Sequence, residues 1–204
     1  MDKKIIIVIG RQFGSGGRAV ARELGKRLGI DVYDHELLSK AAEDNGVSRE
    51  HFKKRDEKRK FFSFNVLENI FASDTNASGE NFDNTIFEMQ SRTIREIAQK
   101  GSAIIVGRCA DYVLRDMDCV VSVFLSAPLE ARIKSVCERM NVTEDIAEKI
   151  IRKKDKNRPA YYNYYTFGNW GVASNYDICL DSSKLGVEGC ADQIISFAKS
   201  AGLL

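Results

Sequence analysis

The sequence predicts an α/β fold of three layers, in which a parallel sheet of about five strands carries helices on both faces. Two observations predict this fold. Strand-like and helix-like segments alternate along the 204 residues, and two of the strands are uninterrupted apolar runs, Ile5–Ile9 and Ala103–Val106. Such runs are typical of parallel strands that are buried on both faces. Ligands of parallel sheets bind at the carboxyl ends of the strands.

The first strand, Ile5–Ile9, stops at Gly10 and is followed by the glycine-rich segment Arg11–Arg18. Apolar spacing then predicts a helix from Ala19 to Leu28. Glycines let the backbone turn tightly, so that successive N–H groups can point into one concavity, and the helix adds the positive end of its dipole. Strand, loop and helix together predict a phosphate site. We expect the backbone amides from Gly14 to Arg18 to surround the phosphate.

The remaining elements follow in order along the chain. Further strands are predicted at Asp31–Asp34, Ala103–Val106, Cys119–Leu125 and Tyr176–Asp181. Helices are predicted at His35–Asn45, Thr85–Lys100 and Val187–Ala201, and two more are expected to begin near Pro128 and at Thr143. Between the second strand and the Thr85 helix, Arg49–Lys60 is expected to be a solvated helix and Asp74–Asn84 an exposed loop.

The glycine-rich loop departs from the P-loop pattern G-x-x-x-x-G-K-S/T. When Gly14-Ser15-Gly16 is aligned with the related motif G-S-G-K-G-T, Gly17 replaces the lysine and Ala19 replaces the threonine. Both the lysine that neutralises phosphate charge and the hydroxyl that binds magnesium are missing from their usual places. Arg18 is the first candidate to replace the lysine, and Arg11 is the second, because a guanidinium pairs bidentately with phosphate oxygens. The Ser15 hydroxyl is a further expected donor to the phosphate.

Composition excludes several classes of protein. The charges nearly balance, with 31 Lys and Arg against 29 Asp and Glu, so no general attraction to nucleic acids or membranes is expected. Five cysteines without C-x-x-C spacing are predicted to be reduced, buried thiols of a cytoplasmic protein. The first strand does not have the architecture of a signal peptide, and no apolar stretch approaches the roughly 18 residues of a membrane span.

A basic run lies just before the last strand. Residues Arg152–Arg158 contain five basic side chains and one acid, which is compatible either with a solvated helix face or with a lid that brings positive charge to a phosphoryl group. The aromatic segment Tyr161–Gly171 that follows is predicted to be a mobile flap, a pocket wall or a contact between copies in a homo-oligomer.

An ordered set of segments resembles the cytidylate kinase family, and more closely its divergent cytidylate kinase-like branch. The resemblance covers most of the chain and rests on Gly14-Ser15-Gly16, Tyr33-Asp34, Ile105–Arg108, Val123–Ala127, Glu130-Ala131-Arg132, Asp155–Arg158 and Tyr176–Ser183. It implies a P-loop kinase fold in one domain. The core would be about residues 1–34 and 101–204, the helical acceptor-binding insert about 35–100, and the lid about 152–171.

The resemblance also implies an activity and roles for residues. A kinase of this family moves the γ-phosphoryl group of ATP, usually with Mg²⁺, to a nucleoside monophosphate, with CMP or dCMP as the expected acceptor. Arg152 and Arg158 would be catalytic as lid arginines that bind phosphates. Arg18, the first candidate to replace the P-loop lysine, is expected to be catalytic as well. The expected acceptor-binding residues are Asp34, Arg92, Arg108 and Asp155, of which Asp155 would orient the base or a lid arginine. No residue is assigned to a metal.

One departure from the family concerns the acceptor site. The motif Asp-Gly-Arg-Asp recurs in cytidylate kinases, whereas Val106 and Cys109 flank Gly107-Arg108 here. Two alternatives to an enzyme acting on CMP therefore stay open: a nucleotide- or phosphate-binding module with little transfer activity, and a kinase for a non-nucleotide small molecule. A dinucleotide-binding oxidoreductase is a third alternative, since Gly14-x-Gly16-x-x-Ala19 fits that fingerprint and Asp34 follows at a suitable spacing.

Overall fold

The sheet organises the molecule in the computed structural model, which describes residues 4–34 and 80–204. Within those residues five parallel strands lie in the order β2-β3-β1-β4-β5. They are β1 (Ile6–Arg11), β2 (Val32–Tyr33), β3 (Ala103–Val106), β4 (Val120–Ser126) and β5 (Ile178–Asp181). The predicted parallel sheet is confirmed. Its order contradicts the oxidoreductase alternative, because a dinucleotide-binding sheet pairs β2 directly with β1, whereas β3 separates them here.

The helices cover both faces of this sheet. In the described parts of the chain they are α1 (Gly17–Leu28), α2 (Glu80–Lys100), α3 (Ala110–Val113), α4 (Leu129–Met140), α5 (Glu144–Thr166) and α6 (Ser182–Ser200), with a 3₁₀ turn at Ala173–Asn175. Side chains of β1 alternate between two apolar clusters: Ile7 and Ile9 pack with α1 and α6, whereas Ile6 and Val8 pack with α2 and α3. The alternation follows from the two-residue period of a strand. Three layers result, as predicted.

A third apolar cluster joins α4 to α5 at the carboxyl end of β1. Val136 of α4 and Ala147 and Ile151 of α5 are buried together, and Phe13 from the glycine-rich loop packs against them. The loop is therefore fixed to two helices as well as to its own strand.

Helix α5 is longer than the sequence indicates. It runs from Glu144 to Thr166 straight through Pro159, so the prediction of a flap over Tyr161–Gly171 is wrong for its first six residues. A proline within a helix removes one N–H···O bond. Tertiary packing offsets that loss, because Tyr162 is buried and the Tyr165 ring stacks on Phe87 of α2, with ring centroids 4.1 Å apart.

One helix boundary also differs from the prediction, and another needs a qualification. Helix α2 begins at Glu80, so the exposed loop predicted as far as Asn84 is wrong for its last five residues. The segment Ser182–Ser200 of α6 is divided at Gly186, whose φ of 66° and ψ of −174° are not helical, so its long part begins at Val187, as predicted. Asp181 accepts a hydrogen bond from the Ser183 N–H as the cap of the short part before it. The predicted helices at His35–Asn45 and Arg49–Lys60, and the first part of the Asp74–Asn84 loop, lie outside the described residues.

The predicted division into core, insert and lid stays a prediction. Ile94, Ile97 and Ala98, near the end of α2, are buried in the apolar cluster on one face of the sheet.

The five cysteines are free thiols; Cys109 and Cys190 are buried, whereas Cys179 is exposed, unlike the buried thiol expected there. None of the helices in the described residues combines the length and apolarity that a membrane span needs.

Candidate active site

The glycine-rich loop forms a concave row of free backbone donors. Gly14 and Gly16 have φ angles of 87° and 76°, a region that side chains other than glycine rarely adopt. Gly16 is the N-cap of α1. Among the described residues, no acceptor pairs with the backbone N–H groups of Gly14, Gly16, Gly17 or Arg18. Free N–H groups at a helix N-terminus are suited to bind an anion.

The Ser15 hydroxyl points into the protein. Ser15 is only 3% exposed, and its Oγ lies 3.0 Å from the carbonyl oxygens of both Gln12 and Leu125. These contacts join the loop to the end of β4. A hydrogen bond from this hydroxyl to a phosphate, as predicted, would require another rotamer.

A buried ion pair holds the loop against α4 and α5. Asp155 accepts the Phe13 N–H at 2.8 Å through one carboxylate oxygen and binds Arg132 Nη1 at 2.5 Å through the other. Arg132, 8% exposed, also donates to the carbonyl oxygens of Phe13 and Ala127. The Asp155 charge is thus neutralised by Arg132, and its position is that of a support beneath the phosphate loop.

Four arginines gather above this support, at the carboxyl edge of the sheet: Arg11, Arg18, Arg108 and Arg158. Arg158 Nη1 donates to the Arg11 carbonyl oxygen at 2.6 Å, and Arg18 Nε lies 3.5 Å from a carboxylate oxygen of Asp34. Arg108 hydrogen-bonds Tyr161. The structure thus brings Arg18, Asp34, Arg108 and Arg158 together with Arg11 beside the loop.

The electrostatics of this arginine cluster favour an anion. Burial, followed by the positive charges of Arg158, Arg108 and Arg18, lowers the pKa of Arg11 well below its usual value. Burial also lowers the pKa of Arg158 to about 10, although Asp155 opposes the shift. With a pKa of about 10, Arg158 stays protonated at neutral pH. The lowered pKa values reflect burial first and repulsion between the arginines second, and a bound phosphate would relieve that repulsion.

The turn after β3 carries unusual backbone geometry. Gly107, Arg108 and Cys109 have consecutive φ angles of 77°, 60° and 55°. A non-glycine residue in this region costs on the order of 1–3 kcal/mol and persists where surrounding structure over-determines it. The turn presents Arg108 to the arginine cluster.

Two predicted site residues make their described contacts away from the arginine cluster. Arg152 is exposed on α5 and pairs with Glu148 one turn earlier. Arg92 is exposed on α2 and pairs with Glu96. Neither is joined by a described contact to the arginine cluster, and their predicted roles stay predictions.

The described residues do not fit a magnesium site held by the protein alone. They contain no group of three or more Asp, Glu, His or Cys side chains that could hold a metal. Of the two carboxylates nearest the loop, Asp155 is bound to Arg132 and Asp34 pairs with Arg18. Since Mg²⁺ prefers several oxygen ligands, no step is assigned to a protein-held metal.

Three contributors to the site were not assigned a role from the sequence. Arg132 belongs to the family-like motif Glu130-Ala131-Arg132, for which the sequence indicates no function. Gln12 accepts the Ala127 N–H at 3.1 Å and so ties the loop to the end of β4. Tyr161 bonds both Arg108 and Gln90. No local pattern distinguishes these side chains, because their partners are remote in sequence.

Comparison with known proteins agrees with this geometry. The family model described as the cytidylate kinase-like family matches residues 6–184. A cytidylate kinase from Methanopyrus kandleri is 27% identical over 207 residues, covering 97% of this chain and 92% of the relative. One from Pyrococcus horikoshii is 26% identical over 188 residues, covering 91% and 84%.

Solved structures show the same architecture. An uncharacterised protein from Eubacterium ventriosum is 32% identical, with a TM-score of 0.74 over 97% of this chain and 99% of that one. Shikimate kinase from Bacteroides thetaiotaomicron is 11% identical, with a TM-score of 0.55 over 96% and 98%. The second likeness concerns the fold alone and identifies it as a P-loop kinase fold. With the family model matching most of its length, this chain belongs to the cytidylate kinase-like family and is a kinase-like phosphotransferase.

Proposed function

We propose that the protein transfers the γ-phosphoryl group of ATP to a small acceptor that itself carries a phosphate, with CMP or dCMP as the favoured acceptor. The observation that carries the proposal is the arginine cluster beside the phosphate loop. Four guanidiniums gather there beside two acids: Asp34 pairs with Arg18, and Asp155, which is bound to Arg132, also lies 4.0 Å from Arg158. Like charges gather in this way where an anion compensates them.

The charge of the cluster suits two phosphate groups. The N–H groups of Gly14, Gly16, Gly17 and Arg18, which have no acceptor among the described residues, and the dipole of α1 are suited to hold the donor phosphates. Arg108 and Asp34, which follow β3 and β2, lie on the other side of β1 from β4, where an acceptor can approach. An acceptor with its own phosphate would use the remaining positive charge. The cytidylate kinase name of the relatives supports a nucleoside monophosphate in that role.

Phosphoryl transfer asks little covalent chemistry of the protein. A phosphate oxygen of the acceptor attacks the γ-phosphorus, the bond from that phosphorus to the β–γ bridging oxygen breaks, and ADP leaves with the bonding electrons. Positioning and neutralisation of the phosphoryl charge supply the catalysis. Arg158 is suited to the second task, because α5 carries it to the carbonyl of Arg11 at the base of the loop.

The test is phosphoryl transfer from ATP, with Mg²⁺ present, to CMP, dCMP, UMP, AMP and shikimate in parallel. We expect CMP or dCMP to raise the rate of ADP release above the rate without acceptor. Detection of the diphosphate product by chromatography guards against simple ATP hydrolysis. If no monophosphate is phosphorylated while ATP still binds, the nucleoside monophosphate acceptor is wrong. Transfer to shikimate alone would favour a kinase for a non-nucleotide small molecule.

A further inference from the structure

The space above Gly17 is filled by the side chain of Arg11. A Cβ built on Gly17 would lie 2.8 Å from Cγ and 2.9 Å from Cβ of Arg11, which is closer than real side chains approach. The backbone does not require glycine there, since Gly17, unlike Gly14 and Gly16, does not have a positive φ. Gly17 is therefore a glycine because Arg11 occupies its side-chain space.

The end of the Arg11 side chain lies over a second glycine, Gly107, whose φ of 77° itself favours glycine. A Cβ on Gly107 would lie almost on top of Arg11 Nη1 and 2.9 Å from its Cζ. Two glycines from distant parts of the sequence, one opening α1 and one following β3, thus leave a channel for a single arginine. The guanidinium is held at the carboxyl edge of the sheet, between the ends of β1 and β3.

No residue that the structure describes forms a hydrogen bond with the Arg11 guanidinium. Among residues 4–34 and 80–204 its only favourable electrostatic neighbour is Asp34, acting at a distance, while three other arginines repel it. Arg18 by contrast pairs with Asp34, and Arg158 donates to the Arg11 carbonyl. A guanidinium has five N–H donors, and a confined one without acceptors is suited to an anionic ligand.

We propose that Arg11 takes the place of the missing P-loop lysine and contacts the transferred phosphoryl group. Gly17 stands at the lysine position because a glycine leaves room there for the Arg11 side chain. The inference rests on the proposed phosphotransferase function. It changes the sequence-based order of candidates, in which Arg18 came first and Arg11 second. Arg18 then serves mainly to hold Asp34, with which it pairs.

This replacement can be tested by removing the arginine at position 11 and placing a lysine at position 17. The variants are Arg11→Ala, Gly17→Lys, and the double variant Arg11→Ala/Gly17→Lys. The control is Arg22→Ala, which removes an exposed arginine of α1. Each is measured for ATP affinity by calorimetry and for phosphoryl transfer to CMP, after circular dichroism has established that it is folded. In Gly17→Lys alone, the new Cβ would clash with the Arg11 side chain, so we expect this variant to lose ATP affinity and phosphoryl transfer.

We expect Arg11→Ala to weaken ATP binding or lower transfer by about 10- to 100-fold, the range for lost charged hydrogen bonds. The double variant should recover at least part of that loss, because removal of Arg11 frees the space for the lysine. Arg22→Ala should behave as the wild type. Wild-type behaviour of Arg11→Ala, or a folded double variant no better than Arg11→Ala, would overturn the inference.

The measurement of ATP affinity distinguishes a failure of this inference from a failure of the proposed function. If the wild type binds ATP but phosphorylates no acceptor, the proposed function fails, and the recovery of ATP affinity in the double variant still decides the role of Arg11. If the wild type does not bind ATP at all, both are overturned.

Discussion

Arg158 of α5 donates a hydrogen bond from Nη1 to the backbone carbonyl oxygen of Arg11, at 2.6 Å. The contact joins residues 147 positions apart and places a predicted lid arginine at the base of the phosphate loop. Arg152 lies six residues earlier on the same helix, where a rotation of about 100° per residue puts it on another face. The two arginines predicted as a pair thus have different environments.

The first prediction follows from that difference. Arg158→Ala should lower turnover by about 10²- to 10³-fold, the usual loss for a group that stabilises transition-state charge. ATP affinity should fall much less, because such a group acts mainly in the transition state. Arg152→Ala should change turnover little, since its side chain is exposed and paired with Glu148. Steady-state kinetics measures turnover, and calorimetry measures ATP affinity. Equal losses of turnover in the two variants would restore the original pairing as lid arginines.

The strands could be predicted from sequence because their signals are local. Five β-branched residues, Ile5–Ile9, suffice to predict a doubly buried strand, and the glycines after them predict the loop. The continuation of α5 through Pro159 could not be predicted in the same way, because it depends on the stacking of Tyr165 with Phe87 in a distant helix. Local propensity opposed the outcome, and tertiary packing prevailed.

The site was predictable in its parts and not in its arrangement. Arg11, Arg18, Arg108 and Arg158 could be named from sequence, because each lies at a strand end, in the glycine-rich segment or in the basic run. Their relation to Gly17 could not be, since a glycine in a loop is usually explained by its backbone. Only the position of the Arg11 side chain in space gives a different reason.

A second prediction concerns Ser15 and uses Ser91 as its matched control. Both are buried serines, but Ser15 Oγ reaches two carbonyl oxygens, whereas Ser91 Oγ has no partner among the described residues. Ser15→Ala should lower the free energy of unfolding by about 1 kcal/mol, the net value of a hydrogen bond. Ser91→Ala should be neutral or stabilising. Urea denaturation compares them.

The same variant tests the predicted role of Ser15 at the phosphate. If the hydroxyl serves the loop alone, ATP affinity in Ser15→Ala should stay within a few-fold of the wild type once the protein is folded. A large loss of affinity without loss of stability would show that the hydroxyl turns to the phosphate.

A third prediction addresses the ion pair beneath the loop. Asp155→Asn can still accept the Phe13 N–H through its amide oxygen, but Arg132 would be left as an unpaired, buried charge. We expect a loss of about 3 kcal/mol in the free energy of unfolding, as for other broken buried pairs. The double variant Asp155→Asn/Arg132→Met should be more stable than Asp155→Asn alone. Additive losses in this double-mutant cycle would show that the pair is not coupled.

The last prediction concerns Asp111, on the far side of the sheet from α1. Its carboxylate accepts a hydrogen bond from Tyr162 Oη at 2.7 Å, but burial is the larger effect and raises the pKa of Asp111 above its ordinary value. The folded state therefore binds this proton more tightly than the unfolded state. Stability contributed by Asp111 is present below the unfolded pKa of about 3.9 and is lost as pH rises through the folded value.

Asp111→Asn removes that loss, because the amide oxygen still accepts from Tyr162 and carries no charge. The variant should gain stability relative to the wild type as pH rises from about 4 to 7, measured as the difference in urea midpoint at several pH values. Asp116→Asn, which removes an exposed carboxylate, is the charge-matched control and should show no such trend. A difference between Asp111→Asn and the wild type that is constant with pH would mean that the Tyr162 hydrogen bond balances burial. A difference that turns against the variant at higher pH would mean that the hydrogen bond outweighs burial.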